Sequence, residues 1–160
     1  MSQPDFFNIN PEVPKEQNTQ ESLEDKFAKE RLEWSGKIAE MSEQMKSVLK
    51  VSELMTGIYT ERQRCVEYHH YLISILIKLN KKYRKSYSER YDYWSYKSQI
   101  RYPNNSALDN KIKTELSDIL EKREMIDAHA KFMDKTVSTI DNLIYAIPRR
   151  IEIEQISRGK

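Results

Sequence analysis

The isoleucine-rich seam in the last third of the chain limits most strongly how this sequence can fold. Apolar residues recur every seven positions, at Ile112, Ile119, Ile126, Met133, Ile140 and Ile147. A companion series, interrupted by a single charge, consists of Leu116, Arg123, Ala130, Val137 and Ile144. Heptads sustained over this length predict a long helix with coiled-coil-like packing against another long helix. Pro148 is expected to end that helix.

Two further helices are predicted upstream of the seam. A capping pattern at Ser22 and Asp25 opens the first, whose apolar stripe consists of Trp34, Ile38, Met41, Met45, Val48 and Met55. Gly57 weakens this run, and the capping box at residues 60–63 predicts the start of the second helix. The stripe then continues through Tyr68, Leu72, Ile75, Leu76, Leu79, Tyr83, Tyr87, Tyr91 and Trp94.

The break between the second and third helices is predicted at residues 102–105, where a proline and two asparagines follow a tyrosine. Ser106 and Asp109 predict the next helix start. No alternating strand pattern occurs, so the expected fold is all-α, a long helical hairpin with helices of about 60 Å. Such a hairpin leaves apolar flanks uncovered, which predicts a homo-oligomer.

The first 21 residues are predicted to form a disordered acidic arm, because Pro4, Pro11 and Pro14 interrupt a polar segment. Through Asp25 the chain has six acidic residues and one lysine. Phe6 and Phe7 leave open whether the arm is a simple tail or a docking segment. Residues 22–102 are expected to form the N-terminal helices, and residues 103–160 the long C-terminal helix with a basic tail for oligomerisation.

Several function classes are not expected from this composition. Three scattered glycines cannot build a phosphate-binding loop, no apolar run approaches the length of a membrane span, and the first residues lack a signal-peptide pattern. The single cysteine, Cys65, suits a reducing cytoplasm. Cys65 and His69 supply too few ligands for structural zinc, and no oxyanion hole accompanies them. We therefore expect a cytoplasmic protein that is not an enzyme and uses neither metal nor cofactor.

The net charge of +2 conceals a strongly basic segment at residues 78–101. This segment contains only two acidic residues, Glu89 and Asp92. Its eight basic residues are Lys78, Lys81, Lys82, Arg84, Lys85, Arg90, Lys97 and Arg101. Tyr83, Tyr87 and Tyr91 fit the apolar stripe and are expected in the core, whereas Tyr93 and Tyr96 lie off it. Cations that bind phosphates, interleaved with aromatic rings that stack on bases, are typical of single-stranded nucleic-acid binding.

The order of motifs resembles the UvsY family, the recombination mediators of T-even-type phages. The resemblance covers residues 22–160 and is carried by Leu23-Glu24-Asp25, Arg90-Tyr91-Asp92-Tyr93-Trp94-Ser95, Lys113-Thr114-Glu115-Leu116-Ser117 and the isoleucine-rich basic tail. Arg90 matches the family's basic-motif arginine, and Tyr93 with Trp94 matches its aromatic pair. Ser88 stands where the family has a lysine, and Tyr96 where it has a glycine.

This resemblance implies a non-enzymatic mediator in the host cell cytoplasm. Such a protein binds single-stranded DNA, displaces the phage single-strand DNA-binding protein and loads the RecA-like phage recombinase, in recombination, repair and replication. It also implies a ring-like homo-oligomer closed through the C-terminal helices. The expected DNA-binding residues are the eight basic ones together with Tyr93 and Trp94. The expected oligomerisation residues are Met133, Val137, Ile140, Ile144, Ile147, Ile151, Ile153 and Ile156.

Two alternatives remain open at the level of sequence. The chain could be a structural or adaptor coiled coil without nucleic-acid affinity, in which case the basic run is only a solvated helix face. It could also be a helical hairpin that binds RNA, because stacking and phosphate contact do not distinguish RNA from DNA.

Overall fold

The structure is a computed structural model that describes residues 22–46 and 51–159. In this part of the chain there are four α-helices and no strand, which confirms the all-α prediction. The helices are α1 (Leu23–Gln44), α2 (Val51–Asp92), α3 (Asn105–Glu115) and α4 (Ser117–Arg158), and a π-helical turn, Tyr93–Lys97, follows α2. The predictions for the acidic arm, including Phe6 and Phe7, and for Val48 lie outside the described residues.

The first helix begins where its capping pattern predicts. The Ser22 hydroxyl oxygen accepts a hydrogen bond from the Asp25 backbone N–H at 3.1 Å. The same hydroxyl donates to the Asp25 carboxylate at 2.6 Å. The first of these bonds satisfies an otherwise unpaired backbone donor of the first turn, and the negative charge of Asp25 lies at the positive end of the helix dipole.

The predicted helix start at residues 60–63 is wrong, because α2 runs unbroken from Val51. The Thr60 hydroxyl donates back to the Thr56 carbonyl oxygen at 2.9 Å instead of capping an N-terminus. Buried side chains continue at helical spacing on both sides of Gly57, among them Leu54, Ile58 and Cys65. Packing of this continuous apolar stripe outweighs the local capping preference.

The predicted third helix is divided in two at Leu116, whose backbone lies outside the helical region. The N-cap is Asn104 and not Ser106, since the Asn104 side chain accepts from the Ala107 N–H at 2.8 Å. The heptad positions nevertheless remain internal on both sides of the break, with Ile112 and Ile140 fully buried. Tertiary packing therefore preserves the seam where the helical hydrogen bonding is interrupted.

Pro148 does not end the last helix, which continues to Arg158, so that prediction is also wrong. Proline removes one hydrogen-bond donor but leaves the later N–H groups of the helix available. Contacts beyond the proline stabilise the continuation. Ile151 is half-buried against the main core, and Arg150 Nη1 donates to the Met45 carbonyl oxygen at 2.6 Å.

The two long helices, α2 and α4, lie side by side in antiparallel orientation. Near the start of α2, Arg62 Nε donates to Asp141 Oδ1 at 2.5 Å. Near its end, the Tyr83 ring faces the Arg123 guanidinium at 5.6 Å. The core between them, which α1 also covers, has at its centre the buried residues Ile58, Cys65, Leu72, Met133 and Ile140. No described helix is apolar enough over a sufficient length to cross a membrane.

One polar cluster lies inside this core, where α1, α2 and α4 meet. Glu30 on α1 accepts hydrogen bonds from the Tyr68 hydroxyl at 2.6 Å and from His129 Nε2 at 2.8 Å. The His129 ring is fully buried and stacks on Phe27, with ring centroids 4.1 Å apart. Its other nitrogen, Nδ1, has no partner among the described residues.

Acidification from about pH 7.5 to about pH 5.5 is expected to reduce the free energy of unfolding. Burial lowers the pKa of His129 below its ordinary value and outweighs the hydrogen bond to Glu30, while the Arg31 and Lys26 cations also disfavour its protonation. The unfolded chain then takes up this proton first, so stability falls as the pH drops, by at most about 1.4 kcal/mol per pH unit. Urea denaturation at both pH values measures the change.

The matched variants are His129→Gln, which should flatten this pH dependence, and His70→Gln on the exposed surface, which should retain it. An unchanged pH dependence in His129→Gln would show that another group is responsible.

Candidate nucleic-acid interface

The exposed side of α2 carries a cluster of cations, here called the basic face, that consists of Lys78, Lys81, Lys82, Arg84 and Lys85. All five side chains are exposed. With about 100° between successive helical residues, the four lysines lie within an arc of about 100° and Arg84 adjoins it. Within the described residues, only Lys85 of these has an ion-pair partner, Glu89, at 3.9 Å. The basic face is therefore an almost uncompensated row of positive charge.

The tyrosines on the other side of α2 belong to a second core, as their spacing predicts. Tyr83, Tyr87 and Tyr91 are half-buried and pack against α3, around the buried residues Leu108, Ile112 and Leu116. The Tyr87 hydroxyl donates to Asp109 at 2.8 Å, and this bond, together with burial, raises the pKa of Tyr87. The interpretation of these three rings as core residues is confirmed.

Glu115 on α3 forms the polar contacts that link α3 to the end of α2. It accepts from Trp94 Nε1 at 3.3 Å and forms ion pairs with Lys111 at 3.2 Å and Arg90 at 3.5 Å. Burial opposes its ionisation, but the Trp94 hydrogen bond and the two cations prevail and lower the pKa of Glu115. Two of the predicted DNA-binding residues, Trp94 and Arg90, thus contribute to this junction, although 53% of the Arg90 side chain remains exposed.

The π-helical turn places the remaining predicted residues at the end of the basic face. Tyr93 is 45% exposed and Tyr96 is 76% exposed, whereas Trp94 between them is half-buried. Lys97 is exposed, and Arg101, also exposed, donates to the Ser95 carbonyl oxygen at 2.7 Å. Exposed aromatic rings therefore lie beside cations at this end of α2, which is the combination that stacks bases and binds phosphates.

A further exposed ring, which the sequence reasoning missed, lies at the opposite end of the basic face. Tyr71 is 59% exposed, and it stands two turns before Lys78 on the same side of α2. Tyr71 precedes Lys78 by seven residues, which is two helical turns, so this spacing alone places both residues on the same side of α2. Tyr96 lies off the apolar stripe, as the sequence predicts, but it is not among the residues predicted to bind DNA.

Most of the predicted oligomerisation residues lie inside the chain's own core. Met133, Ile140 and Ile147 are buried there, and Val137, Ile144 and Ile151 are half-buried against the same core. The heptad seam binds α1 and α2, so these six residues do not form a free surface. Ile153 and Ile156, each 61% exposed, do lie on the surface, together with Tyr145 at 79%. We call these three residues the C-terminal apolar patch.

Cys65 is a structural thiol in this fold. Its side chain is fully buried, and Sγ lies 3.5 Å from the Met133 carbonyl oxygen, to which it donates. Burial raises the pKa of the thiol to about 11. Within residues 22–46 and 51–159, no three His, Cys, Asp or Glu side chains are arranged to hold a metal ion.

Comparison with known proteins finds no match. No protein-family model matches the sequence, and neither a curated protein nor a solved structure does. The resemblance to the UvsY family therefore stays a prediction, and the physical case for a function depends on the residues of α2 and α4.

Proposed function

We propose that this chain binds single-stranded DNA along the basic face and acts as a non-enzymatic recombination mediator. The observation that carries the proposal is the separation of the two sides of α2. Its tyrosines pack against α3, while five cations on the other side are exposed and nearly unpaired. Holding such a row of charge in place costs self-repulsion, which an anionic strand relieves.

The arrangement suits a single strand better than a duplex groove. The basic face is a cluster of cations along about two turns of one helix, and exposed rings lie beyond both of its ends, Tyr71 at one and Tyr93 with Tyr96 at the other. Cations that follow a backbone and rings that stack on bases bind without sequence preference. A mediator needs this property because it must act wherever a strand is exposed.

Homo-oligomerisation through the C-terminal apolar patch forms the second part of the proposal. Tyr145, Ile153 and Ile156 come together on one side of α4, since their spacing brings them within about a quarter of a turn. A ring built through this patch would repeat the basic face around one rim, so that weak sites bind one strand together. The phage recombinase and the phage single-strand DNA-binding protein are the proposed partners, in the host cytoplasm, as the UvsY resemblance implies.

A salt titration of oligonucleotide binding tests the proposed function. If all five cations of one basic face contact phosphates, the log–log slope of affinity against salt should be about 3.5 in magnitude per subunit, because each contact contributes about 0.7. Fluorescence anisotropy with matched DNA and RNA strands measures both slope and preference. Loading of a recombinase onto DNA covered with single-strand DNA-binding protein then tests mediation.

The outcomes separate the candidate functions. Absence of binding at low salt would favour an adaptor coiled coil, and tighter binding of RNA would favour an RNA-binding hairpin. Binding without any effect on recombinase loading would reject the mediator role and keep the DNA-binding site.

A further inference from the structure

The beginning of α1 is level, along the helix axis, with the N-terminal end of the basic face. Glu30 on α1 contacts Tyr68 on α2, and Lys37 on α1 contacts Glu61, so the two helices are antiparallel. Because both rise by about 1.5 Å per residue, Ser22 is level with about residue 76 of α2. Consistent with this position, Leu23 packs on the same core as Leu76 and Leu79. Measured along the helix axis, the chain that precedes Ser22 therefore joins the fold within about one helical turn of Lys78 and about two of Lys82.

The charge of that preceding segment is opposite to the charge of the basic face. The acidic arm, residues 1–21, contains Asp5, Glu12, Glu16 and Glu21 against Lys15 as its single cation. From residue 76 to Lys85, the last cation of the basic face, the distance along α2 is about 14 Å. Twenty-one residues can extend to about 70 Å, so the arm can reach every cation of the basic face. Its carboxylates present the same kind of charge as DNA phosphates.

We propose that the acidic arm docks on the basic face of its own chain and competes there with single-stranded DNA. Its four carboxylates pair with cations of the basic face and offset most of their charge while no strand is bound. A strand must displace the arm, and a long strand does so more readily because it makes many contacts at once. The competition rests on the proposed function, whereas docking of the arm does not.

Removing the negative charge of the arm should strengthen DNA binding. An arm that occupies the basic face for about nine-tenths of the time lowers the apparent affinity about tenfold. The variant Asp5→Asn, Glu12→Gln, Glu16→Gln, Glu21→Gln should therefore bind a short oligonucleotide about tenfold more tightly at low salt. The gain should disappear at high salt, where both anions are screened.

A matched control distinguishes docking from general repulsion between DNA and an acidic protein. Asp134→Asn, Glu121→Gln, Glu124→Gln, Glu152→Gln makes the same change in net charge at exposed positions of α4. This control should change the affinity much less. Equal gains in the two variants would overturn the competition.

Docking itself is tested without DNA by distance measurement between spin labels. The full chain with Asn8→Cys and Ser88→Cys places one label on the arm and one on the exposed surface beside Lys85. Cys65 needs no replacement, because it is fully buried and its thiol pKa is raised to about 11. Mixing with excess unlabelled protein isolates distances within one chain. Asn8→Cys with Ser138→Cys, on the exposed surface of α4, is the control pair.

A short and narrow Asn8–Ser88 distance that broadens in high salt, and on neutralisation of the arm, supports docking. A distribution as broad as that of the control pair, or one that neutralisation leaves unchanged, overturns it. Broadening when an oligonucleotide is added supports the competition. A chain that gives the short distance but binds no oligonucleotide refutes the proposed function and retains the docked arm.

Discussion

Replacing Lys78, Lys82 and Lys85 with alanine is expected to weaken binding of single-stranded DNA about 100-fold at 0.1 M salt. Each lost phosphate contact removes about 0.7 from the log–log slope, so the triple variant should lose about 2. The three side chains are exposed and none of them contributes to the described core, so the free energy of unfolding should barely change. Fluorescence anisotropy across a salt series measures affinity and slope together.

The matched control replaces three exposed lysines of α4, Lys122, Lys131 and Lys135, with alanine. It alters the net charge by the same amount and should leave the slope nearly unchanged. Equal losses in the two triple variants would show that total charge, and not the basic face, determines binding. Arg90 is left unchanged in both variants. Replacing it would also remove its ion pair with Glu115, so an effect on DNA binding could not be separated from an effect on the packing of α3.

Replacing Ile153 and Ile156 with aspartate is expected to separate the subunits while each chain stays folded. Both side chains are 61% exposed, so charge is tolerated in the isolated chain but not in an apolar interface. Loss of the assembly should lower DNA affinity about 100-fold or more, because the linked sites no longer act together. Sedimentation velocity with and without an oligonucleotide measures assembly and binding in one experiment.

Ile140→Asp is the informative contrast, because Ile140 is fully buried between the helices of one chain. A buried, unpaired carboxylate should unfold the chain itself, with loss of helical circular dichroism. If the exposed double variant keeps its assembled mass, the interface lies outside the C-terminal apolar patch. If it loses its helical signal instead, the patch belongs to the fold and not to an interface.

Periodicity predicts much of this fold because helix packing depends on regular spacing. The heptad seam follows from spacing that is sustained over many turns, and the Ser22 cap follows from a local capping pattern. The break before α3 is also predicted, although it begins after Lys97 and not at residue 102. Two of the incorrect boundaries, at residues 60–63 and at Pro148, share one cause. In each place a continuous buried stripe stabilises the helix more than the local residues interrupt it.

The sequence predicts the cations of the candidate site well, but it predicts less well which aromatic rings are exposed and which are packed in the fold. Spacing alone assigned Tyr83, Tyr87 and Tyr91 to the core. The role of Trp94 at the Glu115 junction depends on α3 folding back onto α2, a contact between residues 21 positions apart that no local pattern encodes. The same limit explains why the C-terminal part of the heptad seam, which the UvsY resemblance assigns to oligomerisation, packs against α1 and α2 of its own chain.

The Glu115 junction allows Arg90 to exchange partners at low energetic cost. If Arg90 turned towards a phosphate, Glu115 would still hold the Trp94 N–H and the Lys111 ammonium. The carboxylate would not be left uncompensated, so the usual penalty for breaking a partly buried ion pair would be small. Arg90 could thus pair with Glu115 in the free protein and with a phosphate in a complex with DNA, while Glu115 continues to hold α3 against α2.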